Sequence, residues 1–279
     1  MSDFKEFYNR FSAQLIEARK QNNPSDFRSL LYVVEPDWDT EAQPIFVEYS
    51  ITKAGLFALF GESLDIDDWM LKALSFSKEN ERTEVYFKWI NLYWKLAQAI
   101  SDQAKLQAAF SSLYNISSQA LEMKLGKYDE FAFQSVRVFT LAALGKHEVL
   151  EEELSKLKWE PIPPKLLQDK EKLNYFYLHF YKVLIAALEI RSELYVSKAL
   201  FMITIDDSLI LSKAPLSRIF NTVVMDIADM RPEFAADFNT FYQLRKKWAG
   251  FLPNFSLFTM MIEEENLKGL DYFFKGFEA

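Results

Sequence analysis

Residues 85–100, VYFKWINLYWKLAQAI, decide the fold class of this chain. Their apolar side chains recur every three or four positions, which is the spacing that places them on one face of an α-helix. The residues of this face are Val85, Trp89, Leu92, Tyr93, Leu96 and Ile100. Similar spacing continues along most of the sequence, and the prolines lie between the periodic segments, where proline begins or ends helices. We therefore predict an all-α protein that starts with a helix over residues 3–20.

The composition supports a helical, globular chain with a large core. Of 279 residues 50% are hydrophobic, while seven glycines and nine prolines are few for a turn-rich β protein. The absence of cysteine excludes a disulfide framework, a thiol nucleophile and a thiolate metal site. Two histidines exclude a histidine-rich metal centre. We expect neither a metal ion nor a cofactor.

Two sets of residues recur with a period near forty. Small residues close the first helices of successive pairs, at Ala58, Ala97, Ala142, Ala186 and Ala228. Leucines recur in the second helices, at Leu74, Leu113, Leu157, Leu200 and Leu244. Helical pairs of this kind bury their apolar faces by stacking. We predict an α-solenoid-like stack of about five degenerate hairpins in a single domain, residues 1–279, with an N-terminal cap (1–44), hairpins (45–252) and a C-terminal cap (253–279). An irregular helical bundle is the alternative.

One segment carries a resemblance to a known repeat. Residues 142–154, AALGKHEVLEEEL, resemble the turn between the two helices of a tetratricopeptide repeat, in which a small residue and a glycine precede the second helix. Residues 58–61, ALFG, are a looser version. The resemblance implies helical pairing. His147 and Glu148 also begin like a zinc-protease helix, but Glu151 stands where the second histidine is required, so we expect His147 to begin a helix without binding metal.

The sequence lacks the motifs of the common enzyme classes. It contains no glycine-rich phosphate loop and no G-x-S-x-G nucleophile motif. We therefore predict no catalytic residues and no enzymatic activity. The N-terminus carries charges and no apolar signal region, and the longest apolar stretches, residues 54–60 and 183–188, are too short to span a bilayer. We expect a cytoplasmic protein that does not contact membranes.

The acidic residues are concentrated between Glu35 and Asp68. This segment holds nine acids and one base, Lys53, whereas the rest of the chain carries 31 residues of each sign. A nucleic-acid binder shows clustered lysine and arginine instead, so we expect no nucleic-acid partner. An acidic stripe indicates a docking face for a basic protein, and a solvated face is the other interpretation. Asp65 is an expected helix N-cap within this stripe.

Aromatic residues are concentrated in two of the predicted helices, residues 86–94 and 175–181. Tyrosine and tryptophan combine a large apolar area with a polar tip, which suits a partner protein or peptide in a groove. The candidate contact residues on these helices are Trp89, Tyr93, Tyr175, His179 and Tyr181. Packing in the core is the competing explanation. A regulatory helical module that binds a peptide or a small ligand in this aromatic groove is our alternative function.

The overall make-up resembles the all-helical immunity proteins that bacteria pair with polymorphic toxins. The resemblance rests on residues 49–61, 65–74 and 86–100 of an acidic, cysteine-free chain. It implies tight one-to-one binding that blocks the active site of a toxin, with acids opposing a basic nuclease surface. The first candidates for these contacts are Glu62, Asp65, Asp67 and Asp68. The favoured function is therefore a non-enzymatic protein-binding protein with a basic partner.

Overall fold

The computed structural model describes residues 3–37, 43–160, 170–203 and 249–254. Within these ranges the chain forms ten α-helices and no β-strand, so the predicted all-α class and the N-terminal helix are confirmed. In chain order the helices are α1 (Asp3–Gln21), α2 (Pro24–Leu31), α3 (Gln43–Phe60), α4 (Ser63–Phe76), α5 (Arg82–Ala99), α6 (Gln103–Ala120), α7 (Lys127–Ala143), α8 (His147–Lys156), α9 (Lys170–Glu189) and α10 (Glu193–Ile203). The markers Ala228 and Leu244 and most of the C-terminal cap lie outside the described residues.

The chain divides into two compact units, Met1–Ile116 and Ser117–Ala279. In the first unit α3 packs against α1, α2, α4 and α5, and α4 also packs against α5. In the second unit α7 packs against α8 and α9, and α9 packs against α10. The single domain and the stacked order of the hairpins stay predictions.

The turns of three helical pairs share one hydrogen-bond pattern. After α3, the N–H of Gly61 donates to the carbonyl of Ala58 (3.3 Å) and the N–H of Glu62 to that of Phe57 (3.2 Å), which is a Schellman motif. The same pair of bonds follows α7 and α9. The residue in the left-handed conformation is Gly61 (φ +77°), Gly145 (φ +67°) or Arg191 (φ +55°). Glycine tolerates this conformation without strain, whereas Arg191 adopts it at a steric cost.

Tyr49 lies at the centre of the first unit. Its side chain is fully buried, and rings from α1 and α4 surround it edge-on. The ring centroids of Phe4, Phe7, Phe11 and Trp69 lie 5.7, 5.5, 4.9 and 5.6 Å from that of Tyr49. Edge-to-face pairs at these distances are favourable beyond the area they bury. This aromatic cluster therefore holds α1, α3 and α4 together.

Lys53 is a buried cation in the same core. Its ammonium group donates to the carbonyl oxygen of Leu30 (3.2 Å) and to that of Leu31, at the C-terminal end of α2. Three aromatic rings lie 5.4–5.9 Å from Nζ, those of Tyr49, Phe57 and Trp69. Burial lowers the pKa of Lys53 from its ordinary value. Because a helix C-terminus and ring faces both favour a cation, this lysine fastens α2 to α3.

Small residues lie buried in the helices of the second unit. Ala142 and Ala186, two of the residues that recur in the sequence, are fully buried in α7 and α9, which pack against each other. His147 begins α8, so the prediction that it starts a helix is confirmed.

Candidate functional site

The outer side of α4 carries two exposed leucines. Leu64 and Leu71 are 81% and 52% exposed, while Ile66, Trp69, Met70 and Ala73 turn into the core. Residues spaced by four and three positions lie on one side of a helix, so exposed Asp68 lies between the two leucines. Half-buried Asp65 lies beside them. We call Leu64, Asp65, Asp68 and Leu71 the α4 face.

The start of α4 differs from the sequence prediction. Glu62 occupies the N-cap position and its side chain makes no capping hydrogen bond, so the expected N-cap at Asp65 is wrong. The reason is the Schellman turn at Gly61, which ends α3 and lets the chain re-enter a helix at Ser63. Asp65 therefore lies in the first turn, where a carboxylate interacts favourably with the helix dipole.

Asp67 lies on the side of α4 that meets α5. Its Oδ1 accepts hydrogen bonds from Trp89 Nε1 (3.0 Å) and from the hydroxyl of Tyr93 (2.8 Å). Both rings are buried, at 3% and 1% exposure. Burial raises the pKa of Asp67, and the two hydrogen bonds oppose that rise because they stabilise the carboxylate. These three residues bind α4 to α5 within the unit, and the two rings present little surface to a partner.

His179 lies in the core of the second unit. Its Nδ1 is 2.7 Å from the hydroxyl oxygen of Ser135 on α7 and 3.4 Å from Nζ of Lys182 one turn further along α9. Burial, with a smaller effect of the Lys182 charge, lowers the pKa of His179 well below its ordinary value. Burial also lowers the pKa of Lys182 to about 7. Because none of the three side chains is more than 4% exposed, this cluster joins α7 to α9 and offers no surface to a substrate.

The nine candidate residues thus fall into separate places. Glu62, Asp65 and Asp68 lie on or beside the α4 face, while Asp67, Trp89 and Tyr93 form the hydrogen-bonded contact between α4 and α5. His179 is in the core of the other unit. Tyr175 and Tyr181 belong to α9, and their side chains lie outside the described part of the chain.

Sequence reasoning missed the leucines of the α4 face and the buried lysines. Leu64 and Leu71 are seven residues apart, a spacing that was visible in the sequence. Lys182 directly precedes the apolar run of residues 183–188, but lysine is almost never fully buried, so the sequence carried no signal for its burial. Lys53 is the lone base within the acidic segment.

Comparison with family models, curated proteins and solved structures finds no significant match to this chain. In the described residues no helix is long and apolar enough to cross a membrane. The same residues contain no group of three or more histidine, aspartate or glutamate side chains placed to hold a metal ion.

Proposed function

We propose that this chain is a non-enzymatic protein-binding protein that docks a basic partner on the α4 face. The observation that carries the proposal is the exposure of Leu64 (81%) and Leu71 (52%) on either side of Asp68. Exposed apolar residues that lie together among polar ones mark interaction surfaces in soluble proteins. The cytoplasmic location expected from the sequence belongs to this proposal.

The two kinds of side chain on the α4 face have different roles in docking. Removing a leucine side chain from water stabilises a complex by about 1.5–3 kcal/mol, so Leu64 and Leu71 supply affinity. Asp65 and Asp68 supply selection for a basic surface, because complementary charges raise the association rate and repel acidic competitors. Lys72 lies alongside, with Nζ 3.8 Å from the centroid of the Trp69 ring. Because this single lysine stands against the two carboxylates of Asp65 and Asp68, the α4 face keeps an excess of negative charge.

The scaffold that we propose for this face is the stack of hairpins expected from the sequence. In such a stack the first helix of one hairpin packs on the first helix of the next. The packing of α3 on α5 in the first unit, and of α7 on α9 in the second, supports this arrangement. In such a stack a second helix such as α4 has one side turned to its neighbours and the other to solvent.

A narrower version of the proposal is that the partner is a toxin and this chain its immunity protein. The charge of the α4 face and the resemblance of residues 49–61, 65–74 and 86–100 support this version. The captured partner, expressed alone in a bacterial host, should then stop growth, and co-expression with this chain should restore it. Unimpaired growth with the partner alone would show that the partner is not a toxin, but it would not contradict the docking proposal.

Capture with matched variants tests the docking proposal. The tagged chain is used to capture partners from a lysate of its source, and the bound proteins are quantified by mass spectrometry. Leu64→Ser/Leu71→Ser and Asp65→Lys/Asp68→Lys should each reduce capture of a basic partner about tenfold or more. The control is Val149→Ser/Leu194→Ser, which removes two apolar side chains outside the α4 face. These side chains are 40% and 59% exposed, and their loss should leave capture unchanged.

The result that contradicts the proposal is a partner that binds the α4-face variants as well as the unmodified chain. Recovery of no stoichiometric partner also contradicts it. The alternative function, ligand binding between the aromatic helices, gains no support from Trp89 and Tyr93, because both rings are buried and hydrogen-bonded to Asp67.

A further inference from the structure

A groove opens between α1, α2, α3 and α5 of the first unit. Its volume is about 390 Å³, which lies within the roughly 300–1,000 Å³ of small-molecule sites. Its walls are mainly apolar and include Leu15, Phe27, Ile51 and Leu92. None of these residues belongs to the α4 face.

Gly55, in the middle of α3, forms part of the groove. Glycine is among the least favourable residues for a helix interior, so its presence there needs a reason. Close packing does not supply one, because a Cβ atom at this position would meet only Leu92 Cδ2, at an ordinary contact distance of 3.8 Å. The missing side chain instead leaves the groove open between α3 and α5.

Two cations line the same groove. Arg19 lies in the last turn of α1 and Lys95 lies on α5, and both side chains are exposed. Neither pairs with an acid among the residues that the structure describes, although the chain has 40 acids. The residues that line the groove include no acid. The groove thus combines an apolar wall with two positive charges.

We infer that this groove binds a small amphiphilic carboxylate, with the apolar body between α3 and α5 and the carboxylate at Arg19 and Lys95. Arginine and lysine form charge-assisted hydrogen bonds with carboxylates, and the apolar wall removes the body of the ligand from water. At roughly 30 Å³ for each water-sized group, the volume holds about a dozen non-hydrogen atoms. Decanoate has that size and serves as the probe.

Isothermal titration calorimetry of the full chain with decanoate at low ionic strength tests the inference. Decanoate should bind, and decan-1-ol, which has the same tail without the charge, should bind at least about tenfold more weakly. Arg19→Gln/Lys95→Gln should weaken decanoate binding by a similar factor. The matched control Arg10→Gln/Lys105→Gln removes two exposed cations outside the groove and should leave the affinity unchanged.

Gly55→Met, which places an unbranched side chain in the groove, should abolish binding while the circular dichroism spectrum stays helical. If this variant fails to fold, the comparison of the two charge variants still decides the outcome. Absence of decanoate binding, equal binding of decan-1-ol, or equal binding by Arg19→Gln/Lys95→Gln overturns the inference. Binding of an acidic peptide but not of decanoate overturns it as well. Leu64→Ser/Leu71→Ser leaves the groove intact, so loss of partner docking and loss of decanoate binding are separable.

Discussion

The hydroxyl group of Tyr93 lies 2.8 Å from Oδ1 of Asp67, and this contact joins α5 to α4. Asp67 belongs to the acidic segment and Tyr93 to an aromatic helix, two features from which the sequence suggested different binding surfaces. They meet inside one unit, where each supplies the polar partner that the other needs when buried. On α4 the acids left for a partner are therefore half-buried Asp65 and exposed Asp68, and Asp68 lies between two exposed leucines.

Tyr93→Phe should lower the free energy of unfolding by about 1–3 kcal/mol, because the half-buried carboxylate of Asp67 loses its shorter hydrogen bond. Urea denaturation followed by circular dichroism measures the change. Tyr32→Phe is the control in the same unit, since Tyr32 is 69% exposed, and it should change stability by less than about 0.5 kcal/mol. Equal effects of the two substitutions would show that the hydrogen bond from Tyr93 to Asp67 does not stabilise the folded chain.

The helices could be predicted from the sequence because their signal is local. The apolar residues of 85–100 recur at helical spacing, and α5 runs over Arg82–Ala99 with Trp89, Tyr93 and Leu96 on its buried side. The turn glycines were visible for the same reason, since Gly61 and Gly145 end helices through bonds within six residues. Arg191 carried no such signal, because an arginine in the left-handed conformation has no sequence pattern.

The candidate site was less predictable because it depends on contacts between distant residues. Trp89 was a candidate contact residue, yet its N–H donates to Asp67, 22 positions earlier. On α4, Leu64 and Leu71 have the spacing of a buried stripe, as do Ile66 and Ala73. Packing against α3 and α5 decides which stripe is buried, and a single helix does not encode that choice.

Lys53→Met should destabilise the chain by about 1–3 kcal/mol and speed amide hydrogen exchange in α2. The methionine fills the space but leaves the carbonyl groups of Leu30 and Leu31 without their buried donor. Exchange measured by mass spectrometry separates α2 from the other helices. Lys72→Met removes a cation that is exposed over the same Trp69 ring, and it should cost no more than about 1 kcal/mol. If α2 exchanges no faster in Lys53→Met than in Lys72→Met, the lysine does not fasten that helix.

Replacement of glycine by alanine should destabilise the chain where the glycine has a positive φ, and stabilise it where the glycine lies inside a helix. Gly61→Ala and Gly145→Ala force an alanine into positive φ and should each cost about 1–2 kcal/mol, although a Cβ atom there meets nothing within 4 Å. Gly55→Ala lies inside α3 and should stabilise the chain by about 0.5–1 kcal/mol, because alanine favours the helix. Thermal unfolding measures all three. A loss of stability in Gly55→Ala would mean that the ordinary 3.8 Å contact with Leu92 hides a clash.

Lys182→Met should make the chain more stable than the unmodified protein at pH 6, and the difference should shrink as the pH rises to 10. In the folded chain burial lowers the pKa of Lys182 to about 7 from its ordinary 10.5. Between these values the unfolded chain binds one more proton than the folded chain. The free energy of unfolding of the unmodified protein therefore gains up to about 1.4 kcal/mol for each pH unit, relative to the variant.

Below pH 7 Lys182 is protonated in both the folded and the unfolded chain, and the cost of burying its charge is present in full. Burial lowers the pKa of His179 in the folded chain as well, and its titration in the unfolded chain, at about pH 6.5, is common to both proteins. Urea denaturation at each pH unit measures the difference. The control is Lys105→Met, at an exposed position of α6, and its free energy of unfolding should differ from that of the unmodified protein by the same amount at every pH. A difference between Lys182→Met and the unmodified protein that stays flat from pH 6 to 10 would show that Lys182 titrates outside this range.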